Sequence, residues 1–146
     1  PPLFPFNTWR VLVLKFFGAK IEWSSKIYPS ANIFMPWNLE MKKNSCLGKN
    51  VDCYNYDKIS ISQNSIVSQN SFLCTASHQY DSKSFDLVKA PITIKGNVWV
   101  AANCFVAPGT IMERDSVLLA NSNLTQNTKK NSVYAGNPAK FRKKRY

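Results

Sequence analysis

The sequence predicts an all-β solenoid, a chain that coils around one axis instead of folding back on itself, and two observations carry this prediction. First, apolar residues recur every six positions. In the second half of the 146-residue chain the run is unbroken and comprises Ile94, Val100, Val106, Met112, Leu118 and Leu124. Second, a small or β-branched side chain such as Val98 or Cys104 stands four residues after each member of the run. Positions two apart on a strand share a face, so both sets point inward. Short internal repeats of this kind are typical of stacked coils.

A third position in each hexad predicts the corners. Asn, Asp or Gly stands three residues after the repeated apolar residue, and these residue types tolerate positive φ. The positions are Asn44, Asn50, Asn64, Asn70, Asn97, Asn103, Gly109, Asp115 and Asn121. Each hexad is then a short strand plus a tight turn, and three hexads close one triangular coil. The stretch from Ile21 to Thr128 has room for about five or six coils of parallel strands. An antiparallel sandwich is the alternative, but the hairpin signals that it requires are absent.

The repeat is interrupted at three places. Two extra residues enter at Pro36-Trp37, and two more at Tyr56-Asp57. The largest interruption runs from His78 to about Pro91. Irregular loops on a rigid scaffold are where functional residues concentrate, so this excursion at 78–91 is the first place to look for a site.

One helix precedes the solenoid. It is predicted over Phe6 to Gly18, with Asn7 or Thr8 as its N-cap and Gly18 ending it. We expect a helical cap at 1–20 packed over one end of a solenoid domain at 21–146. The alternative is an amphipathic helix that lies on a membrane surface through Trp9 to Phe17.

The net charge of +11 indicates an anionic partner or substrate. Five basic residues lie in the last seven positions, 140–146, and such an end is typically solvated and poorly ordered. We predict no nucleic-acid partner, because no helix-turn-helix, zinc-finger or RNA-binding signature is present. No run approaches the roughly 18–20 apolar residues of a membrane-spanning helix.

The four cysteines form no CxxC pair and are predicted to be reduced, in a cytoplasmic protein. One histidine and scattered cysteines make no ligand cluster, so we predict no metal.

His78 is the one histidine, and it stands where the repeat breaks. Neutral imidazole suits a general base. Asp81 is the candidate to orient it. Three alternatives remain: an ordinary surface histidine, a nucleophilic Cys74 four residues away, and a hydrolase that uses Ser77. The last is disfavoured because neighbours on a strand point to opposite faces and no GxSxG motif is present.

Three segments together carry a family resemblance. They are SFLCTASH, VWVAANCFVAPG and AGNPAK, and the similarity extends to the N-terminal WRVLVLKFFGAKI. The chain resembles the hexapeptide-repeat acyltransferases, which have a left-handed parallel β-helix. Within them it looks most like the colanic acid biosynthesis acetyltransferases, with maltose and galactoside acetyltransferases as more distant relatives.

The resemblance implies an acetyl-CoA-dependent enzyme with active sites between the subunits of a homotrimer. His78 matches the catalytic histidine, Asn55 lies near an active-site asparagine, and the Ala102 N–H faces the thioester oxygen. Trp99 matches an aromatic residue beside the acceptor, and the excursion adds Tyr80 and Asp81 as acceptor contacts. The positions expected along the coenzyme A groove are Ala102, Ala120, Thr125, Gly136, Pro138 and Lys140.

These observations predict an O-acetyltransferase that acts on a sugar hydroxyl in exopolysaccharide or surface polysaccharide biosynthesis. The acceptor is a free or lipid-linked saccharide, which would place the enzyme in the cytoplasm, including at the inner face of the membrane. Two alternatives stay open: an acetyltransferase of the same fold for an antibiotic or an amino sugar, and a non-enzymatic β-helix scaffold.

Overall fold

A computed structural model describes residues 6–146, and over that range the chain is a β-solenoid of about six turns preceded by one helix. Residues 1–5, predicted as the start of the helical cap, lie outside the described residues. The prediction of a parallel β-helix is confirmed, because every pairing between the coils is parallel. An antiparallel sandwich is therefore excluded.

The solenoid has three faces, with strands numbered β1–β19 in chain order. Face A consists of β1 (Lys20–Ile21), β4 (Leu39–Met41), β7 (Ile59–Ile61), β12 (Ile92–Ile94) and β15 (Ile111–Met112). Face B consists of β2 (Lys26–Ile27), β5 (Cys46–Leu47), β8 (Ile66–Val67), β13 (Trp99–Val100), β16 (Val117–Leu118), β18 (Ser132–Gly136) and β19 (Ala139–Lys144). Face C consists of β3 (Asn32–Ile33), β6 (Asp52–Tyr54), β9 (Phe72–Cys74), β14 (Phe105–Val106) and β17 (Asn123–Leu124). A 3₁₀ turn spans Pro36–Asn38.

The number of residues between paired positions shows where the repeat is interrupted. In the first coils each residue pairs with one 20 positions on, as Ile27 does with Leu47. In the last coils the spacing is 18, as between Val100 and Leu118. The two-residue insertions at Pro36-Trp37 and Tyr56-Asp57 therefore sit in corners and leave the strands aligned.

The corner prediction is confirmed at every position. All nine residues named from the repeat have positive φ, from 56° at Asn44 to 77° at Gly109. Stacked corner side chains also bond between coils, as Asn50 Nδ2 donates to Asn70 Oδ1 at 3.3 Å. The turns are thus made mainly by asparagine, in a chain with five glycines.

The core holds both inward sets of the repeat. The large apolar members are buried, and so are the small residues four positions later. Where these are serines, backbone carbonyls of the next coil accept their hydroxyls: Ser65 Oγ donates to Lys95 O at 2.6 Å and Ser71 Oγ to Ala101 O at 2.9 Å. Buried polar groups are paired in this way and cost little.

Helix α1 spans Phe6–Phe16 and covers the first coil. Gly18 (φ +97°) follows its last turn, as predicted. The capping prediction is wrong for both Asn7 and Thr8, which lie inside the helix, and Asn7 bonds to the first coil instead. Its Nδ2 donates to Ser25 O at 3.0 Å and its Oδ1 accepts from Ile27 N at 2.9 Å. Val11 and Leu14 join the solenoid core, so the helix closes this end as expected.

Two segments are more ordered than the sequence suggested. The basic end is a strand, because β19 pairs antiparallel with β18, and Arg145 Nη1 donates to Asn97 O at 2.6 Å. The excursion at 78–91 is largely a hairpin, in which β10 (Ala76–His78) pairs antiparallel with β11 (Leu87–Lys89). None of the helices within residues 6–146 has the length and apolarity to cross a membrane.

Candidate active site

The hairpin of β10 and β11 leaves the solenoid at the edge between faces C and A, and Thr75 anchors its base. The Thr75 hydroxyl donates to Tyr54 O at 2.8 Å and accepts from Asp57 N at 2.9 Å. The Thr75 carbonyl accepts from Ala90 N at 2.9 Å, which closes the hairpin where the coil resumes. The excursion is therefore fixed to two neighbouring coils.

His78 ends the first arm of this hairpin, with an exposed imidazole whose orientation is set by the backbone. Its Nδ1 lies 2.6 Å from the carbonyl oxygen of Phe85. A carbonyl only accepts hydrogen bonds, so Nδ1 carries the proton. The neutral ring then presents Nε2 as an acceptor, which is the form that a general base requires.

The loop from Gln79 to Asp86 holds Phe85 in place. Asp86 organises it, because its carboxylate accepts from Ser82 Oγ at 3.1 Å and from Ser84 Oγ at 2.8 Å. Its carbonyl accepts from Gln79 N at 2.9 Å. Phe85 is held at φ +48°. The residue that orients His78 is thus Phe85, through its backbone, and the expectation that Asp81 does so is wrong.

Tyr80 and Asp81 lie at the exposed tip of the same loop, where Tyr80 is 89% exposed. Both side chains are free to meet a ligand that approaches His78.

Asn55 lies in the same edge one coil below Thr75, but it is fully buried. Its Oδ1 accepts from Met35 N at 2.7 Å and its Nδ2 donates to Met35 O at 2.7 Å. Both polar groups of the amide therefore brace the turn at Met35. Direct catalysis by Asn55 stays a prediction that these contacts disfavour.

Trp99 lies on face B, away from the hairpin of its own chain. It is 44% exposed, and its Nε1 donates to Ser68 Oγ at 2.9 Å. It pairs with Ile66 below and Val117 above, so it is part of a flat strand face and not of a corner.

Most of the predicted coenzyme A positions gather at the edge between faces B and C. Ala102 and Ala120 occupy the same corner in successive coils, and the Ala102 carbonyl accepts from Asn121 N at 3.0 Å. Gly136 follows one coil further, with its N–H donating to Ser122 Oγ at 3.0 Å. Within residues 6–146 the Ala102 N–H makes no hydrogen bond, so it is available to a ligand. Pro138 and the exposed Lys140 continue this line in the turn and strand above Gly136.

The candidate residues thus form two groups at two edges. His78, Tyr80 and Asp81 belong to the edge between faces C and A, which we call the hairpin edge. Ala102, Ala120 and Gly136 belong to the edge between faces B and C, which we call the alanine edge. The whole of face C separates the two groups, and Thr125 lies on it, just after β17. One chain alone therefore does not bring its two groups together.

Comparison with known proteins identifies the family of the chain. No protein-family model matches the chain. WcaF of Escherichia coli K12, whose name assigns it to colanic acid biosynthesis as an acetyltransferase, is 38% identical over 131 residues, which cover 90% of this chain and 72% of that protein. The chain belongs to the WcaF family of acetyltransferases.

Solved structures of acetyltransferases share the fold of this WcaF-family chain. A maltose O-acetyltransferase from Clostridium difficile 630 superposes with a TM-score of 0.86 at 23% identity, covering 98% of this chain and 78% of that one. A hexapeptide-repeat acetyltransferase from Vibrio cholerae, solved with acetyl coenzyme A, has a TM-score of 0.85 at 21% identity and covers 94% and 76%. The fold prediction is confirmed, and the class of enzyme, an acyltransferase, follows from the family.

The cysteines of this WcaF-family chain are free thiols, as predicted. Burial raises the pKa of the Cys74 thiol, and its Sγ contacts Ala76 O at 3.0 Å. Burial also raises the pKa of Cys53 to about 12. A protonated thiol is a weak nucleophile, so the geometry favours His78 over Cys74 as the reactive group. Residues 6–146 contain no cluster of three or more potential metal ligands.

Sequence reasoning missed the part that three residues play in building this candidate site: Thr75, Phe85 and Asp86. The pattern Ser82-x-Ser84-x-Asp86 is a signal that could have found the loop, since closely spaced hydroxyl and carboxylate side chains favour local turns. Phe85 carries no such signal, because it acts through its carbonyl group.

Proposed function

We propose that the protein transfers an acetyl group from acetyl-CoA to a sugar hydroxyl in the biosynthesis of an exopolysaccharide or surface polysaccharide. The contact between His78 Nδ1 and Phe85 O carries this proposal, because in the neutral ring it selects the tautomer whose Nε2 accepts a proton, on an exposed residue of an acetyltransferase. The name of the Escherichia coli relative supports a polysaccharide precursor as the acceptor.

The mechanism is direct transfer with both substrates bound. His78 Nε2 removes the proton of the acceptor hydroxyl as its oxygen attacks the thioester carbon. The resulting oxyanion accepts a hydrogen bond from the Ala102 N–H, an interaction worth about 3–4 kcal/mol in comparable sites. The C–S bond then breaks, and the departing thiolate takes the proton back from His78. The products are the acetyl ester and free CoA.

The acceptor and donor contacts follow the two edges. Tyr80 and Asp81 offer a ring and a carboxylate to the acceptor at the hairpin edge, and Trp99 offers a partly exposed indole. Ala120, Thr125, Gly136 and Pro138 follow the pantetheine arm. Lys140 meets a phosphate of the coenzyme, since Lys provides a compact positive charge for this purpose.

The active enzyme in this proposal is a homotrimer. Three solenoids that turn their C faces toward a common parallel axis bring the hairpin edge of each subunit against the alanine edge of the next. This arrangement completes three sites between subunits, which one chain does not do alone. An assembly built in this way follows closed cyclic symmetry.

The surface of face C supports that arrangement. Aromatic side chains contact one another along it through four coils, with ring centroids 5.2–6.2 Å apart. This aromatic ladder consists of Phe34, Tyr54, Phe72 and Phe105, and Tyr56 packs beside it. Aromatic residues are enriched in the cores of protein interfaces. We place this reaction in the cytoplasm, on a free or lipid-linked saccharide.

An acceptor screen tests the proposal. CoA release from acetyl-CoA is measured with neutral sugars, amino sugars and macrolide antibiotics, and the product is identified by NMR. We expect O-acetylation of a neutral saccharide. Transfer to an amine or an antibiotic alone would show that the acceptor is not a sugar hydroxyl. The absence of both a CoA-dependent thermal shift and any transfer would favour a non-enzymatic scaffold.

A further inference from the structure

Helix α1 presents apolar side chains to solvent as well as to the core, which departs from the usual arrangement of a surface helix. Its inner face consists of Asn7, Val11 and Leu14, which contact or enter the solenoid core. On the opposite face the exposed fraction is 70% for Phe6, 67% for Trp9 and 85% for Phe16. Leu12 and Phe17 extend the same surface. We call these five side chains the helix patch.

Two tryptophans of the first coil add to the exposed apolar surface at the end of the solenoid that the helix covers. Trp23 and Trp37 are 55% and 61% exposed. Gly18 lies against the Cβ and backbone of Trp37, so this residue adjoins the end of the helix. Monomeric proteins seldom expose an apolar area of this extent without a partner.

Basic residues predominate in and just after the helix, where Arg10, Lys15 and Lys20 occur before the first acidic residue, Glu22. Glu22 and Glu40 line the groove beside Trp23. Lys15 Nζ lies 5.0 Å from the ring centre of Trp23, at the border of the apolar surface. Tryptophan with flanking lysine is typical of the membrane–water interface.

A groove beside the helix continues the apolar surface, and Phe6, Trp9 and Val13 line it together with Arg10. The Arg10 guanidinium is turned toward the solenoid, where its Nη2 donates to Ala31 O at 2.5 Å. The basic groups that face an anionic surface are therefore Lys15 and the exposed Lys20.

We propose that the helix patch docks on an anionic phospholipid bilayer, with α1 lying in the plane of the interface. Such helices insert their apolar face about 5–10 Å into the headgroup region. The inference rests on the proposed function and deepens it, because docking at that surface favours a lipid-linked saccharide as the acceptor. In the proposed trimer the three patches share one end of the assembly, so they bind with avidity.

Vesicle flotation of the full-length protein tests the docking. We expect it to float with phosphatidylglycerol–phosphatidylethanolamine vesicles and to float poorly with phosphatidylcholine. The triple substitution Trp9→Gln/Phe16→Gln/Phe17→Gln lowers binding at least tenfold, whereas Phe141→Gln/Tyr146→Gln, an exposed pair in the C-terminal strand region, leaves it unchanged. Lys15→Gln/Lys20→Gln lowers binding roughly tenfold or more, since each basic residue near an anionic surface contributes about 1 kcal/mol.

Three results would overturn the docking. They are no flotation of the wild-type protein, equal losses in the control pair, and a change in molar mass of the triple variant, which would show that another subunit covers the patch. Circular dichroism verifies folding. Turnover on a soluble saccharide separates the two proposals: the triple variant retains it if docking alone is affected, and wild-type turnover without flotation would leave the proposed function standing while docking fails.

Discussion

His78 Nδ1 lies 2.6 Å from the carbonyl oxygen of Phe85, a residue whose own backbone has φ +48°. An L-residue in this region of φ costs roughly 1–2 kcal/mol. The loop therefore keeps an unfavourable backbone conformation at the one point that orients the imidazole. Strain of this kind is typical of functional loops.

Substitutions of Phe85 test this contact without altering His78. Phe85→Asn tolerates positive φ and keeps the carbonyl in place, so we expect kcat within about threefold of wild type and an unchanged or higher Tm. Phe85→Pro forces φ to about −65° and moves the carbonyl. We expect kcat to fall about 10–100-fold, the range for groups that orient a functional histidine. Full activity of Phe85→Pro would show that the contact does not matter.

Removal of the imidazole tests its role as the base. His78→Ala lowers kcat by about 10²–10⁴, the usual contribution of general-base catalysis. Ser77→Ala, on the adjacent exposed position, is the matched control and keeps its turnover. CoA release gives kcat, and a CoA-dependent thermal shift verifies binding. Equal turnover of His78→Ala and wild type would exclude His78 as the base.

Charge on face C tests the assembly. Tyr54→Glu/Phe72→Glu places six carboxylates around the proposed axis, so we expect monomers by light scattering and loss of turnover. Like charges in an interface cost several kcal/mol. Ile66→Glu, at an exposed position of face B, is the control and keeps its mass. A trimer that survives the double substitution would move the interface elsewhere.

A pair of corner substitutions tests the contribution of asparagine to the coil. Asn70 has φ +59°, and its side chain accepts from Asn50. Both Asn70→Ala and Asn70→Gly remove that bond, and only alanine is strained at this φ. The Asn70→Ala variant should therefore be less stable than the Asn70→Gly variant by about 1 kcal/mol, measured as the free energy of unfolding in urea. Equal stabilities would mean that the turn relaxes.

The salt bridges of Glu40 are expected to make the stability of the fold depend on pH in the acidic range. Lys58 Nζ and Lys42 Nζ lie 2.6 Å and 2.9 Å from its carboxylate, and they lower its pKa from 4.5 to about 2. A carboxyl group with a depressed folded-state pKa stabilises the fold above pH 4.5, and this contribution is lost as the pH falls toward 2. Solvent screening keeps it below about 1 kcal/mol. The difference in Tm between wild type and Glu40→Gln should shrink from pH 6 to pH 3, and a constant difference would contradict the assignment.

The sequence predicted the solenoid well because its geometry is local. A six-residue period determines which side chains enter the core, and the positive φ of each corner in the repeat was predictable from its Asn, Asp or Gly. The position of His78 followed from the break in that period. All of this information lies within a few residues of the feature that it describes.

The errors concern contacts that no local rule reveals. Asn7 bonds to Ser25 and Ile27 instead of capping its helix, because the first coil offers partners that a helix end in isolation lacks. The basic end pairs as β19 because β18 presents an open edge. Phe85 acts through its backbone, which is the same in every residue. The separation of the two groups by face C depends on how the corners stack in three dimensions.

The register across the excursion has an evolutionary consequence. Ile61 pairs with Ile94, 33 positions on, and the coil continues above it with a spacing of 18, so the excursion adds 33 − 18 = 15 residues without displacing a strand. The hairpin can therefore change in length and sequence while the alanine edge stays where it is. In the proposed function, the hairpin contacts the acceptor and the alanine edge contacts the donor, so we expect changes in this loop to alter the choice of sugar without disturbing the donor site.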